Sequence, residues 1–596
     1  MLPVPDLLHH EARLDVDFHQ LHELFGLAFT GRGDAPGIDL ALAAGSDASA
    51  GWQADHFAHD LFVGELVRDH FRIRLDDKLY AVNEAFHFRV LTSPPEDLDT
   101  IHMRQGILRE LAENPALRQA TGSLYVRLYD MVNMFKVPGR LARLDIDTFR
   151  IDLFRLVKES IDQMATDFAG ARSELRRVAE VARKIQKSEP YEILQALLDY
   201  ASRRASLQID LQVGATGKIT RLDVKSVQFD TENPFFQSTL QRFAQKLRAV
   251  IWHGFQLHDE TIMSRLVQGV YDRWATSLMG LGQLLGQFEL YLAMLQLESR
   301  CRSQGLAMCL PSIRPQGSLE LRDLFNPLLA DGARRPIPCT IQRSDSRAVT
   351  LVTGPNSGGK TRLLQSLGLA QLMGQNGLYV AAAEAHLTLV RGMFVSLIEH
   401  EAVEHSEGRL GRELERIRAM FATMQPPSMI ILDELCSGTN PSEGEEVFSL
   451  VLRLLDEALP VGFITTHFLD YARRLEASPP IDALRFLQVE MDPDRRSTYQ
   501  FVPGVADSSL AGLMAERMGI TFDQIADELR RRDPSALPAR SLGGQAEAKS
   551  GTPIQAVGLG PNGATVHLDH FLDQGEPKTR AADVGVDPAV QLENVI

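Results

Sequence analysis

The sequence predicts a multidomain chain: a mainly α-helical core or lever region with an inserted β-hairpin, followed by an α/β P-loop domain. Three observations carry that expectation. Through most of 93–330, apolar residues recur at helical spacing, as in Ile107, Leu108 and Leu111. Within that stretch Leu207–Val213 alternates strictly and Ile219–Val227 is β-like, with turn chemistry at Gly214–Gly217 between them. Further on, the apolar run Ala348–Val352 enters Thr-Gly-Pro-Asn-Ser-Gly-Gly-Lys-Thr at Thr353–Thr361, and the helix-like Leu363–Met373 follows.

In chain order, 1–92 is an amino-terminal region to which the sequence assigns no role. Its glycine- and alanine-rich Gly31–Gly51 reads as loop, while Phe62–Val67 and Arg72–Val82 suit short strands or short helices equally. Six histidines, His9, His10, His19, His22, His56 and His59, lie here without a second ligand set at metal-binding spacing, so a solvated or structural role is expected. From 93 to 330 the pattern is helical over Met103–Leu117, Leu124–Phe135 and Ile151–Phe168. A long helix is expected over Ala171–Lys187, with Arg172, Arg176, Arg177, Arg183, Lys184 and Lys187 forming either a solvated face or a phosphate-contacting one. In the hairpin, Lys218, Arg221 and Lys225 do not share one strand face, which leaves a DNA grip there a hypothesis. Helical patterning returns over Phe235–Leu297, and Pro311–Pro338 reads as the junction into a nucleotide domain at 331–526. The remainder, 527–596, lacks a sustained apolar period and is expected to be disordered.

Bulk properties narrow the function classes. The 596 residues carry a net charge of −16, which argues against a surface that coats nucleic acid or anionic membrane as a whole. Any such binding requires a local basic patch. Cys301, Cys309, Cys339 and Cys436 form no CxxC pair, which fits a reducing, cytoplasmic setting. No secretory signal is evident, and the longest apolar run, Leu278–Leu295, is broken by Gln283, Gln287 and Glu289, so no membrane association is expected.

The loop Gly354, Pro355, Asn356, Ser357, Gly358, Gly359, Lys360, Thr361 fits the chemistry of a bound nucleoside triphosphate. Glycines let backbone N–H groups turn towards phosphates at the positive end of the next helix. Lys360 is expected to bridge the β- and γ-phosphates, and the Thr361 hydroxyl to hold Mg²⁺. Downstream, the apolar Ser428–Leu432 ends in Asp433 and Glu434. Asp433 suits the metal's water shell and Glu434 the polarisation of an attacking water. A third apolar strand, Val461–Thr466, delivers His467, a candidate either to sense the γ-phosphate or to hydrogen-bond the attacking water.

These segments, with Leu432-Asp-Glu-Leu-Cys-Ser-Gly-Thr-Asn-Pro-Ser-Glu-Gly444 and Thr465-Thr-His467, resemble the MutS family of DNA mismatch-repair ATPases. The middle segment is most similar to paralogues without a mismatch-reading domain. Phe325-Asn-Pro-Leu-Leu resembles the family's His-Pro-Leu junction, Ile101–Leu111 its helical core, and Ser508–Ile520 its helical dimerisation element. The resemblance implies an ABC-type ATPase domain that uses ATP and Mg²⁺, a homodimer with sites completed by a partner's signature segment, and helical lever and clamp regions that hold DNA. Here that segment falls near Gly408–Leu414, where Glu413 and Leu414 fit but Gly408-Arg409 replaces the expected Ser-Thr pair; Arg409 or Arg412 serves either as a finger towards the partner's γ-phosphate or as ordinary helix-surface charge. No Phe-x-Glu wedge precedes the core, so the expected ligand is branched or distorted DNA, with a repair or recombination protein as a possible partner. A nucleotide-switched dimer that regulates a protein partner with little DNA binding is the alternative.

Overall fold

The structure, a computed structural model, describes residues 5–45, 49–138, 146–201, 205–213, 219–229, 259–330, 335–397, 406–436 and 440–506, with four positions between 524 and 531. Met1–Ala515 pack as one unit and Glu516–Ile596 form a second. The expected tail (527–596, almost entirely), dimerisation element and turn at Gly214–Gly217 lie outside the described residues.

The chain opens with α1 (Phe18–Phe29) and α2 (Ala35–Ala43). Loop was expected where α2 stands. The Asp34 side chain accepts from Gly37 N, Pro36 sits in the first turn, and Ile38, Ala41 and Leu42 are buried, so capping and an apolar face outweigh the glycine content. The undecided stretch holds both element types: a short α3 (Val63–Glu65) runs into a π-helical turn at Leu66–His70, then strands β1 (Ile73–Leu75) and β2 (Lys78–Tyr80) pair antiparallel. Asp76 and Asp77, both at positive φ, form the turn between them.

Helices α4 (Glu84–Thr92), α5 (Leu98–Glu113), α6 (Pro115–Lys136), α7 (Ile146–Asp167), α8 (Arg176–Gln186) and α9 (Glu189–Ala201) follow. The segment expected to run on to Leu117 breaks at Asn114, whose side chain accepts from Leu117 N, with Pro115 as the first residue of α6. The helix expected from Ala171 starts only at Arg176, because Arg172 N and Ser173 N donate instead to the Glu110 carboxylate at 2.7 and 2.8 Å. The hairpin of β3 (Ala205–Val213) and β4 (Ile219–Phe229) is antiparallel from Ala205↔Phe229 to Val213↔Ile219.

Next comes α10 (Asp259–Ser303), 45 residues long, against which α1, α2, α4, α5, α6, α7 and α9 pack. Tyr271–Ser303 within it is long and apolar enough to cross a membrane, yet 94% of its apolar window is buried inside the protein, as in a core helix. The three polar residues that interrupt its apolar run each hold the amino-terminal region. Gln283 accepts from Asp15 N (2.6 Å), Gln287 accepts from Leu7 N and donates to Asp6 (both 2.8 Å), and Glu289 accepts from Asn83 N (3.0 Å). The described residues among the first 92 therefore pack on the helical core.

The Pro311–Pro338 stretch is not only a junction. Strands β5 (Ser312–Arg314) and β6 (Leu319–Leu324) lie in it and join β7 (Cys339–Arg343) and β9 (Glu384–Thr388) in a four-stranded sheet ordered β5-β9-β6-β7. A six-stranded sheet, β10-β11-β12-β8-β13-β14, contains β8 (Val349–Thr353), β10 (Met393–Ser396), β11 (Met429–Leu432), β12 (Val461–Thr465), β13 (Leu484–Met491) and β14 (Ser497–Pro503). Its strands are parallel except β14. Helices α11 (Lys360–Gln375), α12 (Ser406–Thr423), α13 (Pro441–Ala458) and α14 (Leu469–Ala477) complete this part.

The carboxy-terminal end of α11 is bolted to α5. Buried Arg104 donates to Leu8 O (2.9 Å), Asn376 O (3.2 Å) and Asn376 Oδ1 (3.0 Å), placing a cation at the negative end of the helix. Burial pushes the Arg104 pKa below its ordinary value. Arg104→Met leaves these buried oxygens without their donor and is expected to lower the unfolding free energy by about 2–4 kcal/mol, measured by urea titration.

Candidate functional site

The parallel register assembles the site at the carboxyl ends of β8, β11 and β12. Leu432 lies beside Ile464 and Val352 beside Thr465, so one step on Asp433 falls level with Thr465, and Thr466 with Thr353. From β8 the chain enters the loop through Gly354, at φ 139°, a conformation that favours glycine. Space adds a second constraint, because a Cβ on Gly354 would lie 2.6 Å from Val489 Cγ2 of β13. Pro355 leads into a single 3₁₀ turn, Asn356–Gly358, and Gly359 adopts φ 86° as the residue before α11. Ser357 is exposed.

Lys360 is 3% exposed, and its Nζ donates to Gly354 O (2.8 Å) and Pro355 O (3.1 Å). Burial lowers its pKa, while the Glu434 and Asp433 carboxylates pull it back up. The ammonium is thus curled into its own loop, bonded to oxygens that an incoming phosphate can replace. Thr361 donates from Oγ1 to Asp433 Oδ2 at 2.6 Å. Asp433 is buried, its other carboxylate oxygen receives the Thr465 hydroxyl, and its backbone N–H donates to Ser396 O of β10 (2.8 Å).

Glu434 follows in the left-handed region at φ 49°, its N–H held by Thr465 Oγ1 at 2.7 Å. One threonine therefore fixes both acidic residues, and a non-glycine residue with positive φ is strained backbone that its surroundings must hold. Two residues on, Cys436 N donates to Glu413 Oε1 of α12 at 2.9 Å. Glu413, in the expected signature segment, thus supports the loop after Glu434 within its own chain. His467 is exposed, with its ring 4.4 Å from that of Phe468, and stands at the rim. Thr361, Asp433 and Glu434 are brought together around Thr465, Lys360 lies in the loop beside them, and His467 remains peripheral.

Sequence reasoning passed over the cover of this loop. Val489 of β13 packs on Gly354 and Gly358, and Tyr499 of β14, at φ 59° and 42% exposed, brings Cδ1 to 3.1 Å from where a Gly359 Cβ would stand. Neither residue belongs to a motif; only the antiparallel pairing of β13 with β14 carries Tyr499 to the loop. Thr465 had a signal, the paired threonines preceding His467.

The chain is similar to known proteins over part of its length. Residues 350–531 match the model of MutS domain V. That part of the chain is therefore similar to a MutS domain V. Similar proteins carry the name Endonuclease MutS2: that of Thermus thermophilus is 32% identical over 231 residues, 38% of this chain and 29% of the relative. The Thermomicrobium roseum protein is 31% identical over 218 residues, 36% and 27%. The Shouchella clausii protein is 31% identical over 228 residues, 37% and 27%. The matched stretch thus spans less than a third of these relatives, and the domain V match includes the loop, the acidic pair and the β13–β14 cover.

Steric fit of the loop is open to test. Gly358→Ala sets a Cβ 2.9 Å from Val489 Cγ2. It is expected to weaken binding of a fluorescent ATP analogue by about tenfold, and Val489→Ala on the same chain is expected to restore most of that loss.

Proposed function

We propose that the chain is a MutS-type ATPase that works as a homodimer and couples ATP hydrolysis to clamping of mismatched, branched or distorted DNA in repair or recombination, in the cytoplasm. The observation that carries the reading is the Thr361–Asp433 pair at 2.6 Å, at the mouth of the Gly354–Thr361 loop and tied through Thr465 to Glu434. A hydroxyl and a carboxylate side by side are hard oxygen donors of the kind Mg²⁺ takes. Thr361 and Asp433 would hold Mg²⁺, which would supply positive charge against the charge that develops on the phosphoryl group.

The chain's own residues do the rest. Backbone N–H groups of Gly354, Pro355 excepted, through Thr361 cradle the phosphates, and Lys360 exchanges its two carbonyl partners for β- and γ-phosphate oxygens. Glu434 orients the attacking water and takes its proton, and its strained backbone, pinned by Thr465, fixes where that carboxylate starts. His467, at the rim, is the sensor of the γ-phosphate. Tyr499 offers an exposed ring over the loop as a stacking surface for the base. Dimerisation completes each site with the partner's segment near Gly408–Leu414. All four cysteines are free thiols, which supports a reducing compartment.

Steady-state kinetics test the reading. Glu434→Gln is expected to lower kcat by about a hundredfold or more with ATP affinity retained, because it removes a group that acts in the transition state. Tyr499→Ala is expected to raise the KM for ATP roughly fivefold while kcat holds. DNA coupling is read by adding linear, mismatched and four-way-junction DNA at several salt concentrations. Junction binding with a steep salt slope, together with a changed Glu434-dependent rate, is the expected result. Hydrolysis indifferent to every DNA removes the DNA half and leaves the alternative, a nucleotide-switched dimer acting on a protein partner, which the net charge of −16 favours.

A further inference from the structure

The amino-terminal region reaches the nucleotide-binding part of the chain at three elements through the short segment from Gly51 to Leu61. At β10, the edge of the six-stranded sheet, Gly51 O accepts from Met393 N at 3.1 Å. The contact is intimate, since a Cβ on Gly51 would meet Arg391 O at 2.0 Å, and the His56 ring lies 5.6 Å from that of Phe394. At α11, the helix that begins with Lys360, Leu61 Cδ2 lies 2.6 Å from where a Gly368 Cβ would be, with Ile431 of β11 alongside. At α12, the buried Asp60 carboxylate receives Leu397 N and one Arg416 guanidinium nitrogen, both at 3.0 Å. Trp52, Phe57 and Leu61 are almost wholly buried, so the segment is seated and not draped.

Arg416 stands one turn beyond Glu413, on the same side of α12. Glu413 receives Cys436 N, and Cys436 follows Glu434 by two residues. A continuous chain of contacts therefore runs from Asp60 through Arg416 and α12 to Glu413 and the strained backbone that presents Glu434. Nothing in the acidic-pair or glycine-loop motifs accounts for Asp60. A buried carboxylate with two partners from the opposite end of the chain, one of them on the helix that carries the signature segment, sets where that helix lies.

We propose that Gly51–Leu61 is a built-in positioning element of the nucleotide site, with the Asp60–Arg416 pair holding α12, and through Glu413 the Glu434 loop, in its working place. The proposal rests on the ATPase reading above for its kinetic consequence, though not for its structural one. Asp60 touches no reacting atom in this scheme. It acts through Arg416 and Glu413, and ATP binding at the Gly354–Thr361 loop does not depend on it.

The full chain and its Asp60→Asn, Arg416→Gln and double variants test the pair. Asn keeps an acceptor for Leu397 N and removes the ion pair, which guards against simple unfolding. Each single variant is expected to lower kcat roughly fivefold or more while changing the KM for ATP less than about twofold, and the double variant to be no worse than the poorer single. Hydrogen exchange of 406–423 and of 433–436 is expected to quicken in all three variants relative to the parent chain, whatever the turnover. Unchanged exchange in these segments overturns the proposal, and so does a loss that appears in KM alone or that adds fully in the double variant. A parent chain without ATPase activity, but with exchange that responds to Asp60→Asn, sinks the ATPase reading and leaves the positioning role standing.

Discussion

Asp433 is the residue on which the glycine-loop end of the molecule converges. Its two carboxylate oxygens take hydroxyls from Thr361 and Thr465, and its backbone reaches Ser396. Those partners belong to the first turn of α11, the end of β12 and the end of β10. A shift of one residue in the pairing of β11 with β12 would turn Thr465 to the other face of the sheet and separate both acidic residues from the loop. The parallel register, itself held by fully buried strands such as Met429–Leu432 and Val461–Thr465, is therefore a condition for the chemistry as much as for the core.

The helical half answers to a different constraint, the burial of α10. A helix apolar on nearly all sides must be enclosed, and this one is enclosed by the chain's own helices, including α1, α2 and α4 from the first 92 residues. Gln283, Gln287 and Glu289 then act as addresses within an otherwise uniform surface. Each offers hydrogen-bonding atoms that only particular backbone groups of the amino-terminal segment satisfy, which selects one docking of that segment among many of similar apolar area.

The local order of the six-stranded-sheet half was legible because its signals are local: strand, glycine loop and helix follow one another within a few turns, and an apolar strand ends in Asp433 and Glu434. Hairpin alternation at Leu207–Val213 was legible for the same reason. Less could be read where an outcome depended on partners remote in sequence. Helix α8 starts late because Glu110 claims Arg172 N and Ser173 N, and α2 forms in a glycine-rich stretch because its face finds a core. Val489 and Tyr499 reach the loop only through tertiary pairing, and Thr465 looked like a mere neighbour of His467. Asp60 is the extreme case: besides its neighbour His59, its partners lie 337 and 356 positions away.

That separation has a consequence for the order in which the protein is made. Gly51–Leu61 leaves the ribosome long before Met393, Leu397 and Arg416 exist, and Leu7 long before Gln287. Contacts between distant positions close late and slowly, since the entropy of closing the intervening loop comes first. The sheet that carries Asp433 consequently gains its amino-terminal contacts only after the chain as far as Arg416 has been made.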